Sequence, residues 1–76
     1  MGKKYYTLAV LPNCEGRRWS PQFGDYDRGV VAQEMRDTRD DWPKGSKMII
    51  ISTDETQAAI NAKIDGLNAE LHNAQA

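Results

Sequence analysis

Two side chains in this sequence could begin covalent or redox chemistry, Cys14 and His72, and they stand near opposite ends of the chain. A thiol becomes a nucleophile when a neighbouring base or positive charge draws off its proton, and nothing in the spacing joins these two. A single cysteine cannot close an internal disulfide. With only one histidine beside it, it does not begin a zinc site of the usual spacing either. Asp25 and Asp27, in GDYDRG, look like the start of a calcium loop, but the further oxygen ligands and the terminal glutamate of such a loop are missing. Capping of a helix that starts just after them is the better account. No phosphate-cradling glycine motif occurs. The expectation is a non-enzymatic chain with no catalytic residue, no cofactor and no metal.

Recognition chemistry has more to work with, because the net charge of −1 conceals an uneven distribution. Residues 1–24 carry Lys3, Lys4, Arg17 and Arg18 against Glu15, whereas residues 25–41 carry six acids against three arginines. Within the acidic stretch, Asp37, Asp40 and Asp41 crowd the end of a predicted helix, where the helix dipole disfavours negative charge, and Glu34 joins them in the candidate surface. Arg36 and Arg39 offset part of that repulsion. The cluster is either a solvated face or a docking patch for a basic protein surface. The basic segment offers a second reading, with Lys3, Lys4, Arg17 and Arg18 beside Tyr5 and Trp19 holding a nucleic-acid strand by phosphate contact and base stacking. A pI near 5.7 argues against it, since nucleic-acid-binding domains are ordinarily basic. A protein partner therefore ranks above nucleic acid.

The elements that must carry these residues follow from periodicity. KYYTLAVL, residues 4–11, reads as a strand with Tyr6, Leu8 and Val10 on one face. PNCEG turns the chain, and RRWSPQF reads as a second, hairpin-paired strand with Trp19, Pro21 and Phe23 on one side. Pro21 has no amide hydrogen to donate, which places that strand at a sheet edge. A helix starts near residue 28, carries the stripe Val31, Met35, Thr38 and Trp42, and is ended by Pro43. KMIIIS, residues 47–52, is too short for a helix and rich in β-branched residues, so it is a strand with both faces covered. Ser52 with Glu55, or Asp54 with Gln57, fits a capping box for a last helix from about residue 54, and the final residues 73–76 fray. The order β-β-α-β-α gives one α+β domain over residues 1–76. It has a three-stranded, mainly antiparallel sheet, the third strand beside the first, with two helices packed against it.

The last helix admits two packings. Ile60, Ile64, Leu67 and Leu71 recur at the spacing of an inner amphipathic face and equally of a coiled-coil seam. A domain this small draws only about 3–5 kcal/mol from its own core, so a second subunit is a natural support and a homodimer stays open. The N-terminal residues lack the features of a secretory signal, and no apolar run approaches the ~18 residues of a membrane span. Together with a lone thiol, this points to the cytoplasm.

WSPQFGDYDRGVVAQEMRD, residues 19–37, resembles a family of small bacteriophage- and prophage-encoded proteins sharing a Trp-Ser-Pro-x-Phe-Gly-Asp-Tyr-Asp segment between an edge strand and a helix. The likeness extends loosely through KMIIIST, about half the chain, and leaves the last helix outside. It implies no activity, cofactor or catalytic residue. What it implies is a small protein that occupies a surface of a host protein, in the host cytoplasm. A structural or assembly role is the remaining alternative.

Overall fold

The computed structural model describes residues 3–75. In chain order the elements are β1 (Lys4–Leu11), β2 (Ser20–Asp25), α1 (Arg28–Thr38), a 3₁₀ turn (Arg39–Asp41), β3 (Lys47–Asp54) and α2 (Gln57–Gln75). The sheet runs β2-β1-β3 with both pairings antiparallel, so the third strand lies beside the first as expected. Every residue of β1 from Thr7 to Leu11 is buried, which requires cover on both faces of the strand. One face takes Leu8 and Val10 against Val31 of α1, with Tyr6, Phe23, Met35, Trp42, Met48 and Ile50 around them. The other takes Ala9 and Ile51 against Ile60 and Ile64 of α2, with Tyr5, Trp19, Ile49 and Leu67 alongside. The helices thus sandwich the sheet from opposite sides. Full burial of a Leu, Ile or Val side chain is worth roughly 1.5–3 kcal/mol, so the double coverage of β1 is the main source of stability.

Several boundaries differ from the sequence reading, each for an identifiable reason. β2 begins at Ser20, leaving Arg17, Arg18 and Trp19 in the connection. Its register against β1 slips between Leu8 and Ala9: Leu8 faces Phe23 but Ala9 faces Pro21, so Gln22 is an extra, bulged residue. A bulge reverses the alternation beyond it. Trp19 therefore packs on the α2 side while Phe23 packs on the α1 side, not on the one face expected for both. The α-helical part of α1 stops at Thr38, earlier than Pro43 alone would impose. The proline drives Trp42 into an extended conformation (φ −103°, ψ 150°), and the residues before it tighten into the 3₁₀ turn. β3 continues to Asp54 because Asp54 pairs with Lys4, so Ser52 and Asp54 are strand residues and neither proposed capping box forms. Thr56 caps α2 instead, its Oγ1 accepting from the Ala59 amide at 3.2 Å. The helix then runs through Gln75, and Ala76 lies outside the described residues.

The strand-to-helix junction follows the reading closely. Asp25 Oδ1 accepts from the Asp27 amide and Asp27 Oδ1 from the Gly29 amide, both at 2.8 Å, so Asp27 is the cap of α1. Gly24 is there for space. A Cβ at that position would lie 2.6 Å from Cε2 and 2.7 Å from Cζ of Tyr5, whose ring covers the glycine across the strand pair. Gly24→Ala is therefore expected to destabilise the fold by about 1–3 kcal/mol through overpacking. In chemical denaturation the loss should shrink markedly in a Tyr5→Ala background, because the clash then has no partner.

Candidate functional site

The residues that α1 and its 3₁₀ extension present meet around one aromatic side chain. Trp42, half-buried, is common to two open grooves. The larger, about 500 Å³, takes apolar lining from Met35, Trp42, Pro43 and Met48 and charged lining from Arg39, Asp40 and Lys44. The smaller, about 300 Å³, is lined by Leu8, Gln22, Glu34, Thr38, Asp41 and Trp42. Of the four acids singled out in the sequence, Glu34 and Asp41 thus share one groove and Asp40 lines its neighbour. Asp37 lines neither. It is exposed, and its Oδ1 accepts from Gln33 Nε2 at 2.8 Å, while Gln33 Oε1 accepts from Arg36 at 3.1 Å. Because the α-helix ends at Thr38, Asp40 and Asp41 lie beyond its last turn, and the conflict with the helix dipole is smaller than the sequence suggested.

The grooves are held in place from a distance. The turn from Pro43 to Ser46 closes with the Ser46 amide on the Pro43 carbonyl at 3.1 Å and has Gly45 at φ 92°, a conformation side chains other than glycine's rarely adopt. Asn13, in the connection between β1 and β2, reaches that turn twice. Its amide donates to Ser46 Oγ at 2.9 Å and its Nδ2 to the Lys44 carbonyl at 2.7 Å. Sequence reasoning missed three contributors, Trp42, Gln22 and Asn13. Trp42 reads in sequence as part of the helical stripe, Gln22 owes its position to the bulge, and a lone asparagine in a turn carries no long-range signal.

The basic residues do not form one patch. Lys3 and Lys4 lie at the start of β1 and Arg17 and Arg18 beyond its far end, about 23 Å away at ~3.3 Å per residue. Trp19 is not a free stacking platform. Its amide donates to Asn68 Oδ1 at 2.6 Å, its carbonyl accepts from Asn68 Nδ2 at 3.1 Å, and its ring packs on the α2-side core. Arg17 and Arg18 line a groove of about 240 Å³ with Asn68, Leu71 and His72. Cys14 is exposed and is not part of that lining. The stripe on α2 is turned inward. Ile60 and Ile64 are 7% and 6% exposed and, with Leu67, pack on the sheet, while Leu71 is half-buried. Using the stripe as a coiled-coil seam would require α2 to leave the sheet.

At the opposite end of β1, Tyr26 stacks edge-on to Tyr5 with ring centroids 5.0 Å apart and planes at 81°, and Lys3 Nζ lies 6.0 Å from the Tyr26 centroid. The Glu55 carboxylate beside the Tyr26 phenol favours its protonated form, through hydrogen bonding first and its negative charge second, and raises it above its ordinary pKa.

No protein-family model, curated protein or solved structure matches this chain. Among the described residues, no three of His, Cys, Asp and Glu are grouped so as to hold a metal ion, and no helix is long and apolar enough to cross a membrane. A functional reading therefore has to be built from these surfaces.

Two measurements check the arrangement. Asn68→Ala strips the Trp19 amide and carbonyl of their partner in a part-buried position and should cost about 1–3 kcal/mol in denaturant unfolding, with Asn68→Asp, which keeps only the acceptor, in between. For Tyr26, the folded state holds the phenolic proton more tightly than the unfolded chain. Its stabilising contribution is therefore complete below the unfolded pKa near 10.0 and is lost as pH rises through the higher folded value. Glu55→Ala should bring the tyrosinate absorbance titration of Tyr26 back down toward that ordinary value.

Proposed function

We propose that the protein is non-enzymatic and acts by binding another protein through the surface around Trp42, with Glu34, Asp40 and Asp41 as its charged contacts and Asp37 adding to the same negative field. The observation that carries this reading is the meeting of Glu34, Asp41 and Trp42 in one groove, next to a second groove in which Met35 and Met48 are flanked by Arg39, Asp40 and Lys44. An aromatic anchor flanked by charge is the usual composition of a binding hot spot, and methionine side chains adapt to an incoming apolar group. The complementary partner presents a lysine or arginine next to an apolar side chain. The resemblance to small phage-encoded proteins fits the same picture, a compact chain occupying a surface of a host protein in the cytoplasm. A nucleic-acid role has less support, because Lys3 and Lys4 are separated from Arg17 and Arg18 by the length of β1 and Trp19 is engaged in the core.

The test is capture of a host protein from lysate by the immobilised chain. Reversing Asp37, Asp40 and Asp41 to lysine leaves both cores intact and is expected to abolish capture. Trp42→Phe, which keeps an aromatic ring on the core, should weaken the complex by about 1–3 kcal/mol. Capture by the triple reversal at the wild-type level would remove this reading.

A further inference from the structure

We infer that the outer edge of β3 pairs antiparallel with β3 of a second copy, joining two three-stranded sheets into one. The inference goes beyond the Trp42 surface and does not depend on it. Among the described residues β3 is hydrogen-bonded to β1 alone, so along its eight residues the outward amides and carbonyls have no strand partner. An unpaired edge of that length is a template for another strand, and native sheets ordinarily blunt it. The opposite edge is blunted: β2 has six residues, contains Pro21 and Gly24, and is broken by the bulge at Gln22. β3 has none of these devices. Its register with β1 is continuous from Lys47 to Asp54, it contains neither proline nor glycine, and Met48 to Ile51 carry no charge.

The apolar side chains of the strand are also incompletely covered. Met48, Ile49 and Ile50 are half-buried, whereas Leu8, Ala9 and Val10 on the neighbouring strand are fully buried. α1 lies more over β1 and β2 than over β3, so the α1-side residues Met48 and Ile50 have the thinner cover. A second copy extending the sheet would complete it.

Charge selects both the occupant and its direction. Lys44 and Lys47 stand at one end of β3 and Asp54 at the other. Two copies running antiparallel set each basic end beside the other copy's acidic end, whereas parallel pairing would align like with like. The edge is therefore complementary to itself, as a two-fold interface must be. Directly opposed residues share a face of the sheet, so a symmetric ladder centres on one residue. Centred on Ile51, it sets Asp54 of each copy opposite Met48, one position along from the other copy's Lys47.

The experiment is sedimentation equilibrium on the full chain with Lys47→Glu, Asp54→Lys and the double variant. The wild type should associate. Each single reversal, acting at two symmetry-related pairs and turning attraction into repulsion, should weaken association by roughly tenfold. The double variant should restore it, an outcome that misfolding of either single variant could not produce. Alternate β3 amides should also exchange more slowly in concentrated than in dilute solution. A monomer at every concentration would overturn the inference. So would a dimer indifferent to both reversals with β3 exchange independent of concentration.

Discussion

The structure depends on burying one strand from every side. β1 supplies a continuous run of buried residues, and since neighbouring side chains on a strand point to opposite faces, no single layer could cover it. Two helices on opposite faces and a strand along each edge are the least that will do, which is the set of elements this chain has. Thr7 shows how strictly the constraint is applied. Its side chain is 3% exposed and its Oγ1 has no hydrogen-bond partner among the described residues, an arrangement costing roughly 1–3 kcal/mol. Packing of Ala9, Ile51, Ile60 and Ile64 on that face must outweigh it.

Much of this was legible because it is local. The alternation of Tyr6, Leu8 and Val10, the β-branched run at Ile49 to Ile51, the edge position of Pro21 and the capping role of Asp27 each follow from residue type and near neighbours. What escaped is set by pairing. No side chain announces the bulge at Gln22; it arises because β2 must bring both Phe23 and Trp19 onto cores that lie on opposite faces. The cap of α2 moved from Ser52 or Asp54 to Thr56 for the same reason, since pairing with β1 carries β3 through Asp54. The candidate site was legible in part. The acids could be read from composition, but their division around Trp42 depends on a 3₁₀ turn that a helical stripe does not reveal.

Sandwiching the sheet between helices also determines where recognition surfaces can form. The covered faces are unavailable, and the surfaces that remain include the uncovered edge and the place where the chain passes from a helix on one face into an edge strand. The Trp42 grooves sit at that passage, between the end of α1 and the start of β3. They are shaped by a positive-φ turn and by the two hydrogen bonds from Asn13, which belongs to a connection remote in sequence. A surface braced in this way is formed before a partner arrives, which lowers the ordering cost of binding.

If β3 pairs as inferred, the edge and the Trp42 surface act together. The grooves lie toward the Lys47 end of β3, flanking rather than covering the edge at Ile49 to Ile51. A two-fold pairing along that edge would set the two Trp42 surfaces at opposite ends of the joined strands, a separation on the order of the ~3.3 Å rise per residue taken over the strand. Two identical sites in fixed orientation bind a partner with repeated or symmetric contact points far more tightly than either alone, because the second contact is made at high effective concentration. For a chain this small, association along β3 would therefore supply stability and valency through the same hydrogen-bonded edge.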